Sequence, residues 1–340
     1  MKIKVSTGKI PYTNFAYNGN FLLFLYTFGS LFTYFTTGRF VVEGIFLALC
    51  LVIIGLYSSL FIFMVSLVYA IFMDVTDGIA ALSLSYYVLL ALVVSGNIKF
   101  KPPSPTVVYL CFCVGAYFLI QETLQVRLRP TGIFNSPLSA SYFIACCILL
   151  LVKLRRSIGT VLIFPSIILP GSRAGFLITF LMVKQFNTRW KLAIVAFAPI
   201  LISIGIYFNV RALSFHATSD SRRLNSWMKI FDQDYSSYLT LLWGQGRASL
   251  GSLGQALGTS QTVSLESSFL GLIYSYGILG IIAVMALTLI FALRKSMYWW
   301  IFFIICSVSV VMDSLAISML LIMAISLLVD RNGAKNLTSS

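Results

Sequence analysis

Charge is what this chain has least of. Asp, Glu, Lys and Arg make up 10% of its 340 residues against 59% hydrophobic ones, at a mean hydropathy of +0.93. A soluble domain carries about 25% charged residues, so a soluble globular fold is excluded. Histidine occurs once, at His216. No paired Cys or His spacing of a metal site is present, and neither is a Gly-x4-Gly-Lys-Ser/Thr phosphate loop or a Gly-x-Ser-x-Gly elbow. The cysteines Cys50, Cys111, Cys113, Cys146, Cys147 and Cys306 all fall inside apolar runs and read as small core hydrophobes. The alternating ten-residue dyads of an outer-membrane barrel are missing. Internal repeats, low-complexity segments and a soluble accessory domain are missing too. A cleavable signal peptide is not evident either: Met1 to Asn20 is polar, and the first apolar run, Phe21 to Phe35, lacks a small-residue cleavage site and reads as a retained helix.

What remains is apolar runs of helical length, which predict an all-α, polytopic transmembrane helix bundle. Twelve candidate spans lie near 21–36, 40–57, 59–73, 79–96, 105–121, 138–152, 158–169, 174–186, 191–208, 267–293, 297–311 and 314–329. The third, seventh and eighth are shorter than the ~20 residues a perpendicular helix needs. This divides the chain into a membrane bundle of nine spans over 1–208, one large polar loop over 209–265, and three further spans with a tail over 266–340. The stretch from Asp330 to Ser340 reads as a frayed end.

The net charge of +14 belongs to the short connections between spans. Lys2, Lys4, Lys9, Lys99, Lys101, Lys153, Arg155, Arg156, Lys184, Arg189, Lys191, Arg294, Lys295, Arg331 and Lys335 gather on one side, while the other collects Arg39, Arg127, Arg129 and Arg173 from short loops and five more in the large loop. Under the positive-inside rule that side is cytoplasmic, both termini are inside, and the large loop between spans nine and ten faces out. The charge therefore reports topology and no nucleic-acid partner. Acidic residues map to the outer face, Asp74, Asp77, Glu122 and Glu266 among them, with Asp330 alone inside. Glu43 sits within an apolar run, where an ionisable group counts as a functional candidate by default; the plainer reading has it reach the interface or pair with Arg39 one turn away.

Four outer-face elements carry residue types suited to chemistry. Arg127-Leu-Arg129-Pro-Thr-Gly-Ile-Phe134-Asn-Ser-Pro137 ends in a turn that starts a helix, with Pro at an early position. Pro170-Gly-Ser-Arg173-Ala-Gly175 places a guanidinium at a helix N-terminus, as an anion-binding group or as an arginine reaching to headgroups. Arg222, Arg223 and Trp227 sit on a short stretch where Arg223 and Trp227 share a helical face, suiting phosphate plus sugar or a helix lying on the membrane. Leu242-Trp243-Gly-Gln-Gly246-Arg247 precedes Glu266 at the entrance to the tenth span, where Ser264 is a cap and Glu266 is either a base or a dipole-compensating first-turn acid. His216 lies in the same loop, as a substrate contact or an incidental loop residue.

In order and spacing, Phe134-Asn-Ser-Pro137 with Ala140, Gly171-Ser-Arg173-Ala-Gly175, Ser221-Arg-Arg223 with Trp227, Gly244-Gln-Gly246, Glu266-Ser-Ser-Phe-Leu270 and Tyr276-Gly-Ile-Leu-Gly280 resemble the O-antigen polymerase and ligase superfamily of bacterial envelope glycosyltransferases. The resemblance runs from about Phe134 to Gly280, and the earlier spans are similar in hydropathy alone. It implies a multi-pass protein of the bacterial inner membrane whose large loop is periplasmic. There it would transfer glycan between undecaprenyl-pyrophosphate-linked donor and acceptor, without metal or cofactor, with a chain-length regulator as a further protein partner. It implies catalytic roles for Arg173, Arg223 and Glu266. Substrate contacts are implied at Arg222, Arg247, Trp227, Trp243, Arg127, Arg129 and His216. Ligases look to carry a His-Asn pair where this chain has Glu266, which favours the polymerase branch; ligation to lipid A core, and a non-catalytic or transport component of envelope assembly, are the alternatives.

The charge bias yields a direct test. Alkaline phosphatase fused after Tyr235 is expected to be active and the same fusion after Lys295 inactive, assayed in whole cells; the reverse pattern inverts the topology.

Overall fold

The computed structural model describes residues 17–36, 40–73, 75–125, 130–134, 136–163, 166–167, 169–170, 242–244, 268–293, 296–308 and 315–337. Among these, 84% are helical and none lies in a strand. The helices are α1 (Gly19–Thr36), α2 (Phe40–Ile54), α3 (Leu56–Phe72), α4 (Val75–Ala81), α5 (Leu84–Val94), α6 (Pro105–Leu124), α7 (Pro137–Lys153), α8 (Ser157–Ile163), α9 (Ser268–Leu293), α10 (Met297–Val308) and α11 (Leu315–Leu337). Several are apolar and long enough to cross a membrane, among them Pro105–Leu124 and the stretch Asp77–Val94 that includes α5.

Two helices form the centre. Every side chain from Ser139 to Val152 in α7, and from Ala316 to Leu328 in α11, is buried, and the two pack on each other, with α1, α2, α5 and α10 also on α11. Their composition explains this. Ser139, Ala140, Ser141, Ala145, Cys146 and Cys147 in α7, and Ala316, Ser318, Ala324 and Ser326 in α11, are small enough to let neighbouring backbones approach. In α3, by contrast, Tyr57, Phe61, Met64, Ile71 and Phe72 are exposed, a face suited to hydrocarbon.

Helix starts follow local chemistry. Ser104 and Ser136 each precede a proline at the first helical position, and their hydroxyls accept from the Val107 and Ser139 amides at 3.4 and 3.0 Å. The turn at Ser136-Pro137 is the one expected from sequence.

The described helix ends sort by charge. At one end, Gly19 N–H donates to the Lys101 carbonyl at 3.0 Å, Lys101 N–H to the Tyr17 carbonyl at 2.8 Å, and Ser104 N–H to Asn20 Oδ1 at 2.6 Å. Tyr17 hydroxyl reaches the Ile53 carbonyl at the same end, at 3.3 Å. Lys99 and Lys101 lie there, and so do Lys153 in the last turn of α7 and Arg155 and Arg156 just beyond it. The opposite end carries Glu43, Asp77 and Glu122. Glu43 accepts from the Ala316 amide at 3.1 Å, a carboxylate at the N-terminus of the central helix. Arg39, its partner in the sequence reading, lies outside the described residues.

The spans depart from expectation in four places. The 79–96 run begins inside a short helix, α4, separated from α5 by a turn: Ser66 hydroxyl takes the Gly78 carbonyl, and Leu82 N–H turns to Ile79 at 3.2 Å instead. Among its described residues the 158–169 run is α-helical over Ser157–Ile163, and 174–186 and 191–208 lie outside the described residues. The tail is no frayed end at once: α11 continues to Leu337, through the strong helix formers Ala334 and Lys335.

The fourth departure is α9, expected as one span over 267–293. Gly277 breaks it at φ 54° and ψ −130°, a conformation open to glycine. A straight helix would hold Phe269 and Phe291 roughly 33 Å apart, yet both rings pack on Phe303 of α10, at centroid distances of 4.8 and 5.3 Å. The segment Ser268–Tyr276 therefore folds back along Ile278–Leu293. A Cβ at Gly280 would collide with the Leu272 carbonyl, so the fold-back needs glycine there too.

Glu122 offers a test of the acidic end. Its Oε2 accepts from Thr131 N–H at 2.7 Å, Gly132 N–H at 3.0 Å and Thr131 hydroxyl at 3.4 Å, and the side chain is buried. Glu122→Ala strands these donors and is expected to cost about 2 to 4 kcal/mol. Glu122→Gln, whose amide oxygen still accepts, is expected to recover much of it, with both read from thermal unfolding of the purified protein in detergent.

Candidate functional site

The polar stretch meets the described bundle at the segment 242–244. Here Trp243 settles against the acidic-end turn of α3 and the tip of the α9 fold-back. Tyr69 hydroxyl donates to the Trp243 carbonyl at 2.9 Å. The Tyr69 ring stands edge-on to the indole, with centroids 5.7 Å apart at 86°, and edge-on to Tyr276 at 5.3 Å and 79°. Phe72 lies almost parallel to the indole, 6.2 Å away at 9°. Tyr69 and Tyr276 are buried, Phe72 is exposed and Trp243 half-buried.

Why the chain adopts this contact is visible in the backbone. Gly244 has φ 75°, and a Cβ built there would lie 2.6 Å from both Gly277 N and Ser275 O. Two backbones touch without a side chain between them, one at the break of a helix and one in a turn. The Ser275 hydroxyl, fully buried, has no hydrogen-bond partner among the described residues. A second anchor lies at the other end of the fold-back, where Tyr87 hydroxyl donates to the Ser268 carbonyl at 3.2 Å.

Of the catalytic and substrate-contact residues nominated from sequence, Trp243 is the one the structure describes, and it is brought to a wall of aromatic rings. Arg127, Arg129, Arg173, His216, Arg222, Arg223, Trp227, Arg247 and Glu266 lie outside the described residues. Helix α9 is described from Ser268, two residues beyond Glu266. Sequence reasoning missed Tyr69, Phe72 and Tyr87, and named Tyr276 only as part of a motif. The available signal was Tyr69 and Phe72 three apart at the end of an apolar run, sharing one helical face as aromatic residues at a membrane boundary do.

Chemically, the arrangement presents a half-exposed indole with a fixed plane beside acidic helix ends. It suits stacking against a sugar ring or anchorage among lipid headgroups. Among the described residues no cluster of His, Cys, Asp or Glu is arranged to hold a metal ion. No known protein family, curated protein or solved structure matches the chain.

The Gly244 contact can be tested alone. Gly244→Ala adds a methyl group against backbone atoms of Ser275 and Gly277 and is expected to lift 242–244 off α9. Tryptophan emission, read as the difference between each protein and its Trp243→Phe counterpart, should shift to the red, with a lower unfolding midpoint.

Proposed function

We propose that this chain is a polysaccharide polymerase of the bacterial inner membrane that joins undecaprenyl-pyrophosphate-linked oligosaccharide repeat units at the periplasmic face. The observation that carries the reading is where the polar stretch touches the bundle. Trp243 docks on the end that bears Glu43, Asp77 and Glu122, opposite the end that bears Lys99, Lys101, Lys153, Arg155 and Arg156. With the basic end cytoplasmic under the positive-inside rule, the polar stretch works outside, where lipid-linked glycans are assembled without nucleotide donors. A transporter would instead be expected to place ionisable groups at mid-membrane along a pathway.

In this reading Arg173 and Arg223 hold the donor pyrophosphate by bidentate, charge-assisted hydrogen bonds. The acceptor sugar hydroxyl attacks the donor anomeric carbon, forming the new C–O glycosidic bond as the bond from that carbon to the pyrophosphate oxygen breaks. The hydroxyl proton passes to the Glu266 carboxylate, and undecaprenyl pyrophosphate leaves with the electron pair. The guanidiniums neutralise the charge that builds on the leaving oxygen. Arg222, Arg247, Trp227, Trp243, Arg127, Arg129 and His216 supply further contacts to glycan and phosphate. A chain-length regulator is a fitting protein partner.

A deletion strain separates polymerase from ligase. Loss of this chain is expected to leave single repeat units on lipid A core, seen on a gel of surface polysaccharide; no decoration at all indicates ligation instead. Complementation with Arg173→Ala, Arg223→Ala or Glu266→Gln is expected to restore no long polymer, the last losing about 10² to 10⁴ in rate. Lysine at either arginine position is expected to restore part, because it keeps charge without the planar fork. Long polymer at normal protein level from any Ala or Gln variant removes that residue from the mechanism.

A further inference from the structure

Tyr69 belongs to an early helix that no motif singled out, yet it is the described side chain that joins the polar stretch to the bundle. It is buried, its hydroxyl is committed to the Trp243 carbonyl at 2.9 Å, and its ring meets both the indole and Tyr276 edge-on. Phe72, one turn further along the same face of α3, lies parallel to the indole. On the far side Gly244 is seated against the broken backbone of α9. The indole is thus held by a hydrogen bond to its own backbone, an edge contact, a stacked ring and a backbone stop. Its plane is set before any ligand arrives, and it remains half-exposed.

A fixed, partly exposed indole at the acidic end suits one substrate chemistry above others. The C–H bonds on one face of a pyranose carry partial positive charge and lie flat against the negative face of an aromatic ring. We propose that Tyr69 is a positioning residue, holding Trp243 so that its indole stacks on a pyranose ring of the lipid-linked glycan. This rests on the polymerase reading. Preorganisation of this kind improves binding by lowering the ordering cost of association. It acts on glycan affinity and leaves the bond-making step to other groups.

The test uses the full chain in nanodiscs, with lipid-linked repeat units extracted from the deletion strain as the probe. Polymer formation gives kcat and KM, and equilibrium retention of the same probe gives Kd. Tyr69→Phe removes the hydrogen bond and keeps the ring, and is expected to raise KM and Kd about 3- to 10-fold with little change in kcat. Trp243→Ala is expected to raise both further, and Trp243→Tyr to recover part. The deciding comparison is the double variant. If Tyr69 acts through the indole, Tyr69→Phe adds nothing in a Trp243→Ala background, because coupled residues are not additive. Undiminished weakening in that background shows a general structural role and overturns the proposal. Unchanged KM and Kd in Tyr69→Phe overturn it as well, leaving Trp243 as a headgroup anchor. If the wild-type chain binds the probe but makes no polymer, the polymerase reading falls, while the Kd arm still decides whether Tyr69 and Trp243 hold a glycan.

Discussion

Close approach of helix backbones is the constraint on which the rest of this structure depends. Lipid tails are as apolar as leucine, so helices in a bilayer gain little by hiding apolar side chains from them and associate mainly where their surfaces fit. In this chain the fit is concentrated in α7 and α11, whose serines, alanines and cysteines are enclosed on every side. On α3, by contrast, Tyr57, Phe61 and Phe72 face outward. Glu43 accepts the amide of Ala316 at the very start of α11, so the central helix begins with one of its free amides bonded and a carboxylate at the positive end of its dipole.

The same constraint shapes the region where the polar stretch meets the bundle. Breaking a helix within an apolar environment frees donors and acceptors that have no water to turn to. At Gly277 another backbone lies directly against the break. Gly244 occupies the space a side chain would otherwise claim, and Tyr69 secures the neighbouring carbonyl. The glycines, the phenol and the indole work as one arrangement, each of little value alone.

Much of the helix layout was legible because long apolar runs, Ser-Pro starts and basic connections each have a direct physical cause. Ser104-Pro105 and Ser136-Pro137 announce their helices. Which helix lies at the centre is less visible, since hydropathy is the same whether a side chain faces lipid or protein; small-residue content was the usable signal. The break in α9 was hidden for a related reason: glycine is common in membrane helices, so Gly277 and Gly280 look like ordinary packing positions. Trp243 was recognisable as a ligand-facing residue type inside a polar stretch. Tyr69 was not, because its partner lies 174 residues away in sequence, and a single chain carries no mark of such a meeting. Ser66 is a similar case, a serine among apolar neighbours whose hydroxyl diverts the Gly78 carbonyl and so ends α4 early.

The knot at the basic end has a bearing on how the protein is made. The first amide of α1 is satisfied by the Lys101 carbonyl, and Asn20 receives the Ser104 amide from 84 residues further along. At translation rates of 5–20 residues per second, the start of α1 waits roughly 4 to 17 s before its partner segment emerges. Through that interval the nascent protein holds an unfinished first helix. The start of α1 is therefore completed only when the segment before α6 is in place, so the chain closes this end of the bundle late.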